Sequence, residues 1–209
     1  NLATILLLIR YRIKYLFTIK QKVMKKNVIT SLLLCSMFSL SYAQTDITKG
    51  FVRGSIILFD STPLKGYVKD EIKSSASIIF KDENGSKRKV YDGDQVNSVV
   101  IDMVNFICVK GDFFKIILNG ELSLLQKASD VSGKISYNGS DPYVRSGTDG
   151  KIDDYFFYQE SSKKLIHLSK KGYQAIYIDL FNNRPDDLKK IQMLDFSKES
   201  FTMISMLYD

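Results

Sequence analysis

Histidine is almost missing from this chain: His167 is the only one in 209 residues. Tryptophan is absent, proline occurs three times and cysteine twice. Structural zinc sites draw on several His and Cys ligands, and no such set exists here. Any Ser-His-Asp arrangement would have to be built on His167, which sits in the strand-like run Lys164-Leu165-Ile166-His167-Leu168. Gly-rich phosphate loops, H-E-x-x-H and G-x-S-x-G are all absent. Ser161-Ser162-Lys163-Lys164 spells S-x-x-K, but the companion S-D-N and K-T-G motifs are missing, and the stretch reads as a hairpin turn.

The lack of acidic residues near the start is equally telling. Residues 1–43 hold seven basic residues and no acidic one. The formal charge of +7 therefore belongs to this segment, and residues 44–209 carry 23 basic against 23 acidic side chains. Nucleic-acid affinity rests largely on phosphate neutralisation. A neutral body argues against a nucleic-acid partner.

Within that segment, Met24-Lys25-Lys26 precedes an apolar run from Val28 to Leu40, then Ser41-Tyr42-Ala43 and Gln44. A charged start, a short apolar stretch and a small-x-small site make up a secretory signal peptide. We read 24–43 as that signal, with export to the periplasm or the extracellular space. Residues 1–23 read as upstream or unstructured sequence, or else as a surface helix or a long signal n-region. Leu32-Leu33-Leu34 before Cys35 does not suit a lipoprotein signal. Cleavage leaves Cys108 alone, so no intramolecular disulfide can form. No stretch after the signal approaches the roughly 20 apolar residues of a membrane span.

Residues 44–209 suit one domain. Its first part is punctuated like an antiparallel β protein. Phe51–Phe59 and Leu64–Glu71 flank Asp60-Ser61-Thr62-Pro63, a turn in which Asp can bond its own backbone. Asn84-Gly85 and Asn119-Gly120 mark two more hairpins, and Asn97–Met103 and Asn105–Lys110 read as buried strands. Tyr155–Tyr158 and Leu165–Leu168 form a last hairpin. Residues 128–154 carry four glycines with many Ser and Asp, and read as a long flexible loop without structure of its own. From residue 170 the pattern turns helical. Tyr173, Ile176, Tyr177, Leu180 and Phe181 follow helical spacing. Pro185 opens a second helix, and Ser197 caps a third that carries Phe201, Ile204 and Leu207 on one face. The expected fold is α+β: an antiparallel β-rich sheet or partly closed barrel of seven to nine strands over 49–168, then two or three helices over 170–208 packed on one side.

Site candidates are few. Asp141, Asp149, Asp153 and Asp154 in the long loop could supply oxygen ligands to Ca²⁺; otherwise no cofactor is indicated. The same carboxylates could serve glycoside hydrolysis, though nothing in their spacing favours it. Tyr155-Phe156-Phe157-Tyr158 could form an aromatic platform for a glycan or peptide, but alternation along a strand sends half of it to the core.

The signal ending Ser-Tyr-Ala-Gln, then Lys49-Gly50-Phe51-Val52, a short turn and Leu64-Lys65-Gly66-Tyr67-Val68, resembles exported β-rich proteins of the Bacteroidetes. Tyr155-Phe156-Phe157, the Phe181 helix and Leu207-Tyr208 are similar to their C-terminal part. The resemblance spans most of residues 49–208 and implies no activity and no catalytic residue. The reading is an exported envelope binding or accessory module, with the 128–154 loop and exposed aromatics as its surface and an envelope protein or glycan as partner. Two alternatives are a metal-independent hydrolase of cell-wall or carbohydrate substrates, and the N-terminal stub of a larger membrane-associated protein. An enzyme should gather carboxylates or His167 in a concave site. A module should present an aromatic patch or an open sheet edge.

Overall fold

A computed structural model describes residues 49–83 and 87–209. The signal segment, residues 1–23, Cys35 and the Asn84-Gly85 turn lie outside the described residues.

Alternating apolar residues and turn formers produce a sheet in which every neighbour pair is antiparallel. Its order is β12-β11-β8-β7-β6-β5-β1-β2-β3-β4. The strands are β1 (Phe51–Leu58), β2 (Pro63–Glu71), β3 (Ser77–Asp82), β4 (Arg88–Asp92), β5 (Val96–Ile101), β6 (Val104–Val109), β7 (Asp112–Leu118), β8 (Leu122–Lys127), β11 (Tyr155–Gln159) and β12 (Lys164–His167). In the β1–β2 turn, Thr62 N–H donates to Asp60 Oδ1 at 2.9 Å, as the Asp was expected to allow. Asn119-Gly120 does turn the chain between β7 and β8, but Gly120 is not in the left-handed region.

The sheet is open, with β12 and β4 as its edges. It is nonetheless strongly curled. Asp92 and Val96 are joined by only Gly93, Asp94 and Gln95, a link that reaches about 14 Å at most. In a flat sheet, β4 and β5 would lie about 19 Å apart, because β3, β2 and β1 intervene. The first five strands must therefore wrap towards a barrel that hydrogen bonding does not close. Gly54 and Gly66, paired across β1 and β2, permit the bend: a Cβ on either would meet a neighbouring carbonyl oxygen at 2.3 or 2.1 Å. Inside sit Ile56, Val68, Ile78, Phe80, Val99 and Phe113, all buried. The short helix α1 (Ile72–Ser75) adds Ile72 to this core.

The other half of the sheet is covered differently. Leu122 and Leu124 of β8 and Phe157 of β11 face one way, into a cluster with the helices. These are α2 (Tyr173–Leu180), α3 (Pro185–Ile191) and α4 (Lys198–Tyr208). Pro185 opens α3, with Asp186 and Asp187 in its first turn, where they complement the helix dipole. Ser197 Oγ caps α4 by accepting from Ser200 N–H at 3.2 Å. Tyr177, Phe181, Ile191, Phe201 and Ile204 are fully buried on this face. On the opposite face, Phe114, Leu125 and Phe156 form a third cluster.

The 128–154 segment differs from the sequence reading. It contains a hairpin of its own, β9 (Ile135–Asn138) and β10 (Asp141–Val144), as a separate two-stranded sheet.

Candidate functional site

The organising group of the 128–154 segment is a cation belonging to the chain. Lys127 shares its strand face with Leu125, so its side chain enters the interior, where it is 0% exposed. Its ammonium donates to three successive backbone carbonyls: Thr148 at 2.8 Å, Asp149 at 3.3 Å and Gly150 at 3.1 Å. Asp112, also fully buried, lies 3.3 Å from it through Oδ2. A buried charge is tolerated only when paired and hydrogen-bonded, and Asp112 meets that condition. Its Oδ1 accepts from Val131 N–H at 2.8 Å, and its Oδ2 from Thr148 N–H at 2.8 Å and Thr148 Oγ1 at 2.7 Å. Asp130 adds a carboxylate 3.5 Å from Lys127. Burial pushes the Asp130 carboxyl up, but the Ser132 amide and hydroxyl and Lys127 outweigh it and hold the group below its ordinary value.

A second ion pair anchors the hairpin. Arg145, 7% exposed, holds Asp94 at 2.6 Å. Lys134 N–H donates to Val131 O, Gly133 N–H to Arg145 O and Arg145 N–H to Lys134 O. With Gly133 at φ +76°, this is a β-bulge that needs a left-handed first residue, hence glycine.

Above this base the hairpin presents an apolar face. Ile135 pairs with Val144 and Tyr137 with Pro142. Cross-strand partners point the same way, and so do residues two apart, so these four share one face. Ile135 is 64% exposed, and Tyr137 and Val144 are each 69% exposed. Tyr143 stands exposed on the other face, opposite Ser136. Asn138 and Asp141 close the turn, so Pro142 occupies the next, non-hydrogen-bonded pair. Its nitrogen therefore lies on the outer edge of β10, where it blocks the addition of another strand.

The four aspartates proposed as calcium ligands are placed separately. Asp141 starts β10. Asp149 gives its carbonyl to Lys127. Asp153 pairs with Lys73 at 3.6 Å. Asp154 Oδ2 accepts from Lys151 N–H at 2.7 Å and lies 3.0 Å from His167 Nε2. Among the described residues, no three His, Cys, Asp or Glu side chains gather where they could hold a metal ion. Phe156 and Phe157 are buried and Tyr155 and Tyr158 half-buried, so the Tyr155–Tyr158 strand is not an exposed platform. Cys108 is buried, and burial, with Asp94 and Asp112 nearby, pushes its thiol far up, away from nucleophilic chemistry.

His167 stacks on Phe156, with ring centroids 4.8 Å apart, and lines a cleft of about 360 Å³ together with Val109, Lys110, Thr148, Asp149 and Leu165. Thr148 Oγ1 is committed to Asp112. Asp112, Lys127, Arg145 and Thr148 went unremarked in the sequence. The available signal was phase: Asp112 and Lys127 fall on the same strand faces as Phe114 and Leu125, where a solvated charge does not belong.

Compared with family models, curated proteins and solved structures, the chain matches none. The functional reading therefore rests on the site alone.

Proposed function

We propose that this chain is an exported envelope protein acting as a binding module, with the β9–β10 hairpin as its docking element and a protein surface as its partner. The observation that carries this reading is the exposed face of Ile135, Tyr137, Pro142 and Val144, held up by the buried Lys127–Asp112 pair and by buried Arg145 on the exposed Asp94. Exposed apolar faces on a firm base mark interaction sites. The side chains favour protein over glycan, because Ile135 and Val144 would leave sugar hydroxyls unpaired. Export rests on the Met24–Ala43 signal pattern. The test places a photo-crosslinking residue at Tyr137 in cells. The expected result is one reproducible protein adduct, absent when the residue sits instead at Met193, which is 90% exposed on the helical side. Adducts at both positions, or glycan capture with turnover, would overturn the module.

A specific observation supports a second reading, the metal-independent hydrolase: His167 lines a concave site and its Nε2 lies 3.0 Å from Asp154 Oδ2. On that reading His167 is a general base oriented by a carboxylate. Loss of turnover of a cell-wall glycan in His167→Gln, with folding intact, would establish it.

A further inference from the structure

The cleft beside His167 and the hollow next to it make a site independent of the hairpin. We infer that it binds an organic anion with an apolar body, a carboxylate on an aliphatic or aromatic frame. The floor is apolar: Ile107, Val109, Ile116, Tyr158 and Leu165, each partly exposed, pack on the buried Phe114, Leu125 and Phe156. The adjoining hollow, about 250 Å³, is bordered by Ile107, Ile116 and Tyr158, and shares Val109 and Lys163 with the cleft. Strands β6 and β12 have three others between them in the sheet. Both nevertheless line the same cleft, so the sheet curls over the floor and leaves a trough that can take an elongated ligand.

The rim is cationic. Lys110, Lys163 and Lys164 all border the cleft. Lys163 is engaged with Glu160 and Asp154 with His167. Lys110 and Lys164 have no carboxylate partner among the described residues, and the one acid left unpaired at the rim is Asp149. Lysine ammonium groups beside an apolar floor select a ligand with one charged end and one greasy end.

Two of these lysines occupy unusual backbone positions. Lys110 and Gly111 form a two-residue turn between paired Val109 and Asp112, with φ at 49° and 82°. That turn prefers Asn-Gly. Lys163 ends the β11–β12 turn at φ 53°. Left-handed backbone disfavours lysine, while asparagine and glycine adopt it readily. Local propensity thus argues against lysine at both places, and backbone strain of this kind concentrates at functional sites.

The same geometry supplies a clean test. In the double variant Lys110→Asn/Lys163→Asn, two of the three rim lysines are lost while the turns are kept. Laurate, below its micelle concentration, is titrated calorimetrically into the full chain. The expected result is one saturable site, at least tenfold weaker in the double variant, with its melting temperature equal to or above that of the parent. Dodecyltrimethylammonium, with the opposite charge, should not compete. The variant Ile135→Ser/Tyr137→Ser should bind laurate like the parent, which separates this site from the docking hairpin. Absence of laurate binding, equal affinity in the double variant, or loss of binding in the hairpin variant would each overturn the inference. Lys110→Gly/Lys163→Gly gives the same reading should the asparagine pair melt early.

Discussion

Two segments cover the same sheet and follow opposite rules. The helices of 173–208 bury Tyr177, Phe181 and Phe201 and leave Lys189, Lys190 and Glu199 outside or half outside. The 128–154 segment sits against buried Lys127 and Asp112, buries its own Arg145 and Thr148, and turns Ile135, Tyr137 and Val144 out to solvent. One strand serves both: Leu122 and Leu124 of β8 face the helices, and Leu125 and Lys127 face the other way. The contrast separates two sources of stability. A helical cap gains from every apolar group it hides. A segment that hides ions and shows apolar groups draws its stability from the ion network and none from its exposed hairpin face.

The largest expected effect comes from emptying the ion network. Lys127→Met leaves Asp112 buried without its cation, and removing one member of a buried pair costs about 3–5 kcal/mol. Urea unfolding should show that loss, and proteases should then cut within residues 133–150 before the helices. Equal protection of both regions would mean that the network does not hold the segment. In the helical cap, Tyr177 carries a buried hydroxyl with no protein partner among the described residues, and burial pushes its ionisation far up. Tyr177→Phe should stabilise by about 1 kcal/mol, because it removes an unpaired buried group; a loss of similar size would reveal a partner for it. On the hairpin, Ile135→Ser/Tyr137→Ser should shift stability by less than about 0.5 kcal/mol, as exposed substitutions do, while abolishing the Tyr137-region crosslink partner's binding in a pull-down. Smallest of all, Ca²⁺ and EDTA should leave the melting temperature unchanged, since Lys127 already occupies the carbonyls of residues 148–150. A rise with Ca²⁺ would place the ion among the loop acids after all.

Much of the fold was legible because local chemistry and global structure agree. Pro185, Ser197 and the Asp60 turn do in space what their residue types do in isolation. Seven to nine strands were expected over 49–168, and the main sheet has ten there. A partly closed barrel was one of the expected forms, but which strands wrap was not legible, because that depends on β5 pairing with β1 rather than with β4. The ion network was hidden for a related reason: Asp112 and Thr148 lie 36 residues apart, and no local pattern links them. The hairpin at 135–144 was a different failure. Gly139-Ser140 between paired Asn138 and Asp141 is a recognisable turn, but its strands of four residues each were lost among Ser, Asp and Gly. For the site, the loop acids stand out by residue type alone, whereas the exposed face of Ile135, Tyr137 and Val144 emerges only from the β9–β10 register.

The ammonium of Lys127 stands where a dissociable ion could have stood, bound by three carbonyls and two carboxylates. Being covalently attached, it makes loop ordering an intramolecular step, governed by an effective concentration that dilution does not alter. An ion-ordered loop would loosen whenever its ion became scarce. Here the supply is set when β8 joins the sheet, so the order of residues 148–150 does not depend on the concentration of a dissociable ion.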